Sequence, residues 1–141
     1  MTKKILMVED EAMLSELFGE YVQMIPDVEY LGCCDDGTIA LSRCLELRPD
    51  LIVQDIRLPG VNGLDMLKAL RRELPEAKVL VFSGSLDAHS VRVALQGDAH
   101  GFVEKAYGLA ELNKAIESVF AGNRYYSAGA QDYVSKLKAG A

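Results

Sequence analysis

Five short apolar runs of β character, Lys4–Val8, Val28–Cys33, Leu51–Gln54, Lys78–Phe82 and Gly101–Val103, alternate along this chain with five segments of helical period. This alternation constrains the fold more than any other feature, because repeated βα units close around a parallel sheet with helices on its faces. The first helical segment carries Leu14, Leu17, Phe18, Tyr21, Val22 and Ile25 at the spacing of one buried face, and Pro26 stops it. Leu41, Cys44 and Leu45 mark the inward stripe of the second, which closes at Arg48-Pro49 because a residue before proline is pushed out of helical geometry. Leu64, Leu67, Leu70 and Leu74 mark the third, between Gly60-Val61-Asn62-Gly63 and Pro75. The fourth, near Asp87–Leu95, is short and weakly amphipathic, so it is expected to move more easily than its neighbours. Leu109, Leu112, Ile116, Val119 and Phe120 define the fifth, with Gly122-Asn123 as its stop. Ser127 is placed to cap a short amphipathic helix sharing Ala130, Tyr133, Val134 and Leu137, with no strand expected beside it.

The chain has 141 residues, enough for one domain with a single core; residues 1–122 are expected to form it and 123–141 a C-terminal tail or linker. A net charge of −6 opposes direct binding to a nucleic-acid backbone, which needs Lys and Arg to displace counterions. No apolar run approaches the roughly 20 residues that span a bilayer, and Met1-Thr2-Lys3-Lys4 leads into too short an apolar stretch for a secretion signal. A cytoplasmic location without membrane contact is expected. Cys33, Cys34 and Cys44 lack paired metal-ligand spacing and are expected as small reduced core residues, and His89 and His100 as ordinary surface histidines.

The polar residues that follow the apolar runs carry the chemistry. Glu9 and Asp10 follow the first, Asp55 the third, Ser83 the fourth and Lys105 the fifth. A parallel sheet gathers these positions at its carboxyl edge, where open α/β sheets bind ligands. Crowded carboxylates resist joint ionisation unless a cation neutralises them. An oxygen-only ligand set favours a hard ion such as Mg2+, which keeps waters and adds a phosphoryl oxygen to its shell. Nucleotide-binding sheets place glycines at the first turn, whereas Glu9-Asp10-Glu11 would repel a bare phosphate, so an anion approaches here only with a metal. Asp55 can then act as a nucleophile on phosphorus, while Lys105 and Ser83 complete the charge and hydrogen bonding of the transferred group.

Val8-Glu9-Asp10, Asp55 followed by Leu58-Pro59-Gly60-Val61-Asn62-Gly63, Phe82-Ser83-Gly84 and Gly101-Phe102-Val103-Glu104-Lys105 together resemble the motifs of the response-regulator receiver domain, over residues 3 to about 121. The resemblance implies a flavodoxin-like (βα)5 three-layer sandwich with a five-stranded parallel sheet of order 2-1-3-4-5. It also implies that Asp55 accepts a phosphoryl group from a sensor histidine kinase or phosphotransfer protein. Asp10 would bind Mg2+ directly and Glu9 through water, with Asp55 and the Arg57 carbonyl as further ligands. Lys105 would pair with Asp55 and then with the phosphoryl group, Ser83 would swing toward it, and Phe102 would rotate inward. The surface of the fourth helix, fifth strand and fifth helix would change, and a homodimer through that surface is an expectation. Lys105-Ala106 replaces the Lys-Pro of many receivers, so no cis bond is expected there.

With Ala121-Gly122-Asn123-Arg124-Tyr125-Tyr126-Ser127, the chain resembles receivers that precede a LuxR-type helix-turn-helix. It is expected to be the receiver part of a DNA-binding transcription regulator, with a stand-alone receiver as the alternative. Other readings are an aspartate-nucleophile phosphatase of the haloacid dehalogenase type, which wants an acid where Arg57 stands, a flavodoxin, which the acidic first loop opposes, and a receiver that signals without phosphorylation, which the complete site opposes.

Overall fold

A computed structural model describes residues 2–140. Six strands form one parallel sheet of order β2-β1-β3-β4-β5-β6, comprising β1 (Lys3–Val8), β2 (Val28–Cys34), β3 (Leu51–Gln54), β4 (Lys78–Ser83), β5 (Gly101–Glu104) and β6 (Tyr125–Tyr126). The helices are α1 (Ala12–Val22), α2 (Gly37–Leu47), α3 (Gly63–Glu73), α4 (Ala88–Gln96), α5 (Gly108–Phe120) and α6 (Ala128–Ala139), with a 3-10 turn at Lys105–Tyr107. The flavodoxin-like order of the first five strands matches the expectation from the sequence.

Period-two strands sort their side chains between two cores. Leu6, Val8, Ile52, Val79, Val81 and Phe102 face α2, α3, α4 and α6, while Ile5, Met7, Leu51, Val53, Leu80, Phe82 and Val103 face α1 and α5. Each fully buried aliphatic or aromatic side chain contributes about 1.5–3 kcal/mol, so burial on both faces holds the sheet between its helical layers. The β1–β2 register slips between Ile5 and Leu6, where Gly32 takes φ +106° and absorbs the extra residue of the bulge.

A sixth strand is the main departure from the expected topology. Gly122, at φ +93°, turns the chain after α5, and Tyr125–Tyr126 run parallel to Gly101–Phe102. Arg124 anchors the turn, donating to Ala99 O at 2.6 Å and pairing with Asp98 at 2.8 Å. Tyr125 donates its hydroxyl to Glu111 of α5. The terminal helix therefore does have a strand beside it, and Ala130 and Val134 bury against the α4 side of the core. β6 escaped notice because two residues carry no readable period.

Three smaller expectations change. Leu17 is 48% exposed, since only Phe18, Gly19 and Val22 of α1 are fully buried. Cys33 is exposed, while Cys34 and Cys44 are buried as expected. His100 is partly buried rather than superficial, because its Nδ1 accepts the Val79 N–H at 3.1 Å. His89 is exposed as expected.

Candidate functional site

The carboxyl edge of the sheet collects the acidic residues because β1 and β3 are adjacent and end together. The Asp55 N–H continues the ladder to Val8 O at 3.0 Å, and the Glu9 N–H reaches Cys34 O at the same distance. Glu9, Asp10 and Asp55 each present a carboxylate oxygen within 4.8 Å of the others, with Glu9 and Asp55 buried and Asp10 exposed. The chemistry of such an all-oxygen set suits a hard cation.

Lys105 enters from the end of β5. Its Nζ lies 2.8 Å from Glu9 Oε1, 2.9 Å from Asp55 Oδ2 and 3.0 Å from Glu11 Oε1. Burial by itself would lower the ammonium's pKa, but hydrogen bonds with Glu9, Asp55 and Glu11 outweigh it and hold Lys105 above the ordinary lysine range. Burial raises the Glu9 carboxyl, an effect that Lys105 and the Glu11 N–H, 3.1 Å from Glu9 Oε2, partly offset. Glu9 Oε1 is fully buried and faces the Lys105 ammonium at 2.8 Å, so its negative charge is directed at the point where positive charge collects.

The remaining expected residues are placed as follows. The Arg57 N–H donates to Asp55 Oδ1 at 2.9 Å, and its side chain leaves the site to reach Asp87 and Ser90 on α4. Ser83 is fully buried and turned into its own loop, donating to Ser85 O at 3.2 Å and accepting from the Ser85 N–H at 3.1 Å. The Cβ position of Gly84 lies 3.7 Å from the Lys105 side chain, so this loop packs in van der Waals contact beside the lysine. Phe102 is already fully buried, in the same core as Ala130 and Val134, because β6 and α6 lie over β5 and the Ser127 N–H donates to Phe102 O at 2.9 Å.

Glu11 is the participant that sequence reasoning passed over. Its signal was present, as the third acid of Glu9-Asp10-Glu11, but at 62% side-chain exposure it is recruited only because Lys105 extends across the edge to it. The Lys105–Ala106 bond is trans, as expected without proline.

Comparisons with known proteins agree on one family. The model of the response regulator receiver domain matches residues 5–117. The chain is 32% identical over 124 residues to the response regulator GacA of Pseudomonas syringae pv. syringae, covering 88% of this chain and 58% of that protein. It is also 32% identical over 123 residues to the nitrate/nitrite response regulator protein NarL of Escherichia coli K12, covering 87% and 57%. The chain thus spans little more than half the length of these curated relatives. A crystal structure of a LuxR-family two-component response regulator from Aurantimonas superposes with a TM-score of 0.89 at 26% identity, covering 99% of both chains.

Proposed function

The chain belongs to the response-regulator receiver family of two-component signalling, and on that premise we propose that it is switched by phosphorylation of Asp55. A sensor histidine kinase or phosphotransfer protein is the donor. The observation that carries this reading is the convergence of Glu9, Asp55 and Lys105 on one buried point at 2.8 to 2.9 Å. An Asp55 oxygen attacks phosphorus as the phosphorus–nitrogen bond to the donor imidazole breaks, and the imidazole leaves with the bonding pair. Lys105 offsets the charge that Asp55 carries before transfer and that the phosphoryl oxygens carry after it. Ser83, released from Ser85, donates a hydrogen bond to the new group. Hydrolysis of the acyl phosphate by water resets the domain, which makes the chain a self-catalysed phosphoacceptor rather than an enzyme acting on a separate substrate.

Receivers generally use Mg2+, and Glu9, Asp10, Asp55 and the Arg57 carbonyl are the groups that would hold it here. When bound, the ion neutralises charge on the transferring phosphoryl group. Intact mass after incubation with acetyl phosphate and Mg2+ tests the assignment. Wild type gains one phosphoryl group and Asp55→Asn gains none; equal gain by both removes Asp55 from the role.

The length of GacA and NarL favours a second statement, that this receiver acts as one part of a DNA-binding transcription regulator. Intact mass of the native protein from its source cells, well above 15.4 kDa, supports it, and 15.4 kDa supports the stand-alone receiver. A homodimer through α4, β5 and α5 would use the outer faces of the two helices, since β6 and α6 cover β5. Sedimentation showing one unchanged monomer with and without beryllofluoride would remove it.

A further inference from the structure

Residue 57 touches both the acidic site and the start of α4. Its main-chain N–H contacts the Asp55 carboxylate at 2.9 Å, while its Nη2 donates to Ser90 Oγ at 3.0 Å and pairs with Asp87 Oδ2 at 3.1 Å. Asp87 is the N-cap of α4, its Oδ1 accepting the Ser90 N–H at 2.7 Å. The two oxygens of that carboxylate therefore do separate things. One closes the first turn of the helix, and the other ties that turn to the loop that follows Asp55.

Both side-chain hydrogen bonds that join the loop after β3 to α4, among the described residues, come from Arg57. The Arg57–Asp87 pair is 49% exposed on each side, so it contributes little to global stability. Its value is local, because α4 has nine residues, against eleven to thirteen in the other helices, and no large apolar side chain precedes the buried Val91 in its first turn.

We propose that Arg57 is a positioning residue that couples the charge on Asp55 to the N-terminus of α4. The coupling rests on the phosphorylation of Asp55 proposed above. A phosphoryl dianion brings new negative charge to the carboxylate that residue 57 already contacts through its backbone, and this charge competes with Asp87 for the guanidinium. The first turn of α4 is loosened as the side chain is drawn back. Coupling of this kind is reciprocal, so removing Asp87 as a competitor favours the phosphorylated state.

Hydrogen exchange of the amides of residues 88–96, measured with and without Mg2+ and beryllofluoride, tests the coupling. In the untreated protein Arg57→Met raises exchange about threefold, the local equivalent of a fraction of a kcal/mol. It also removes most of the further rise that beryllofluoride produces in wild type. Asp87→Asn, which keeps an acceptor for the cap, gives the same result, and the double variant exceeds neither single one. Arg57→Lys recovers part of the response. Exchange in Arg57→Met equal to wild type under both conditions, or single effects that add in the double variant, overturns the coupling. A wild-type protein that takes no phosphoryl group from acetyl phosphate overturns the function instead; one that is phosphorylated with no dependence on Arg57 overturns the coupling alone.

Discussion

The two ends of β5 each carry a partly buried base and treat it in opposite ways. At the carboxyl end Lys105 is held charged, its pKa raised by Glu9, Asp55 and Glu11 against the pull of burial. At the amino end His100 is held neutral, pushed down to about 4 by burial first and then by Arg71, Lys78 and Arg124, with only Asp98 opposing. Burial depresses any base, and the sign of the outcome is set by the partners. Three carboxylates surround the ammonium at one end. Three cations around an imidazole that accepts the Val79 N–H make the other end a structural seam.

Replacing Lys105 with Met strikes the contrast hardest, since it leaves Glu9 and Asp55 buried and facing each other without a cation. A loss of about 3 kcal/mol is expected in urea unfolding with EDTA present, from the cost of orphaning a buried charge. Added Mg2+ should recover much of it in the variant; no recovery would mean that the acids do not share an ion.

Gly101→Ala probes the opposite end of the strand. A Cβ at Gly101 would collide with Tyr125 O and stand 2.7 Å from Leu80 Cδ1, so β6 must part from β5 or the core must shift. About 2–3 kcal/mol of destabilisation is expected, with raised exchange at Tyr125 and Tyr126. A stable variant with β6 protection intact would separate the seam from the fold of β5.

The His100 pKa gives a pH dependence with a defined sign. The folded pKa of about 4 lies below the ordinary 6.5, so the unfolded chain takes up the proton first. The neutral imidazole's contribution is complete above pH 6.5 and is lost as pH falls from 6.5 toward 4. Partial exposure brings this to about 1–2 kcal/mol. Wild type should lose urea stability relative to His100→Gln across that window; parallel curves would show the ring to be solvated.

Ser127→Ala is the mildest change. Ser127 is fully buried and its Oγ donates to Glu104 Oε2 at 3.1 Å, tying the start of α6 to the residue before Lys105. A loss of about 1 kcal/mol is expected. The informative readout is phosphorylation kinetics, where an unchanged rate would show that the carboxyl end of β5 is positioned without α6.

Much of this was legible in the chain. Glu9, Asp10, Asp55 and Lys105 were found because each follows a strand that periodicity marks, and parallel topology then brings strand ends to one edge. Glu11 was less legible because its role depends on the reach of a side chain from residue 105. Arg57 was read as a backbone ligand, while its link to Asp87 spans 30 residues of sequence and leaves no local pattern. His100 looked superficial because an isolated imidazole in a polar segment carries no sign of the strand N–H it accepts.

The amino-acid sequence alone determined the alternation of five strands and five helices, the sorting of side chains to two faces, and the edge at which the acids meet. These follow from periods of 2 and 3.6 residues and from covalent neighbours, which are local quantities. Tertiary structure alone decided that Tyr125 and Tyr126 join the sheet, that α6 covers Phe102, and that one base on β5 is charged while the other is neutral. Each depends on which distant groups are brought within a few ångströms, because electrostatic and hydrogen-bond energies follow distance in space.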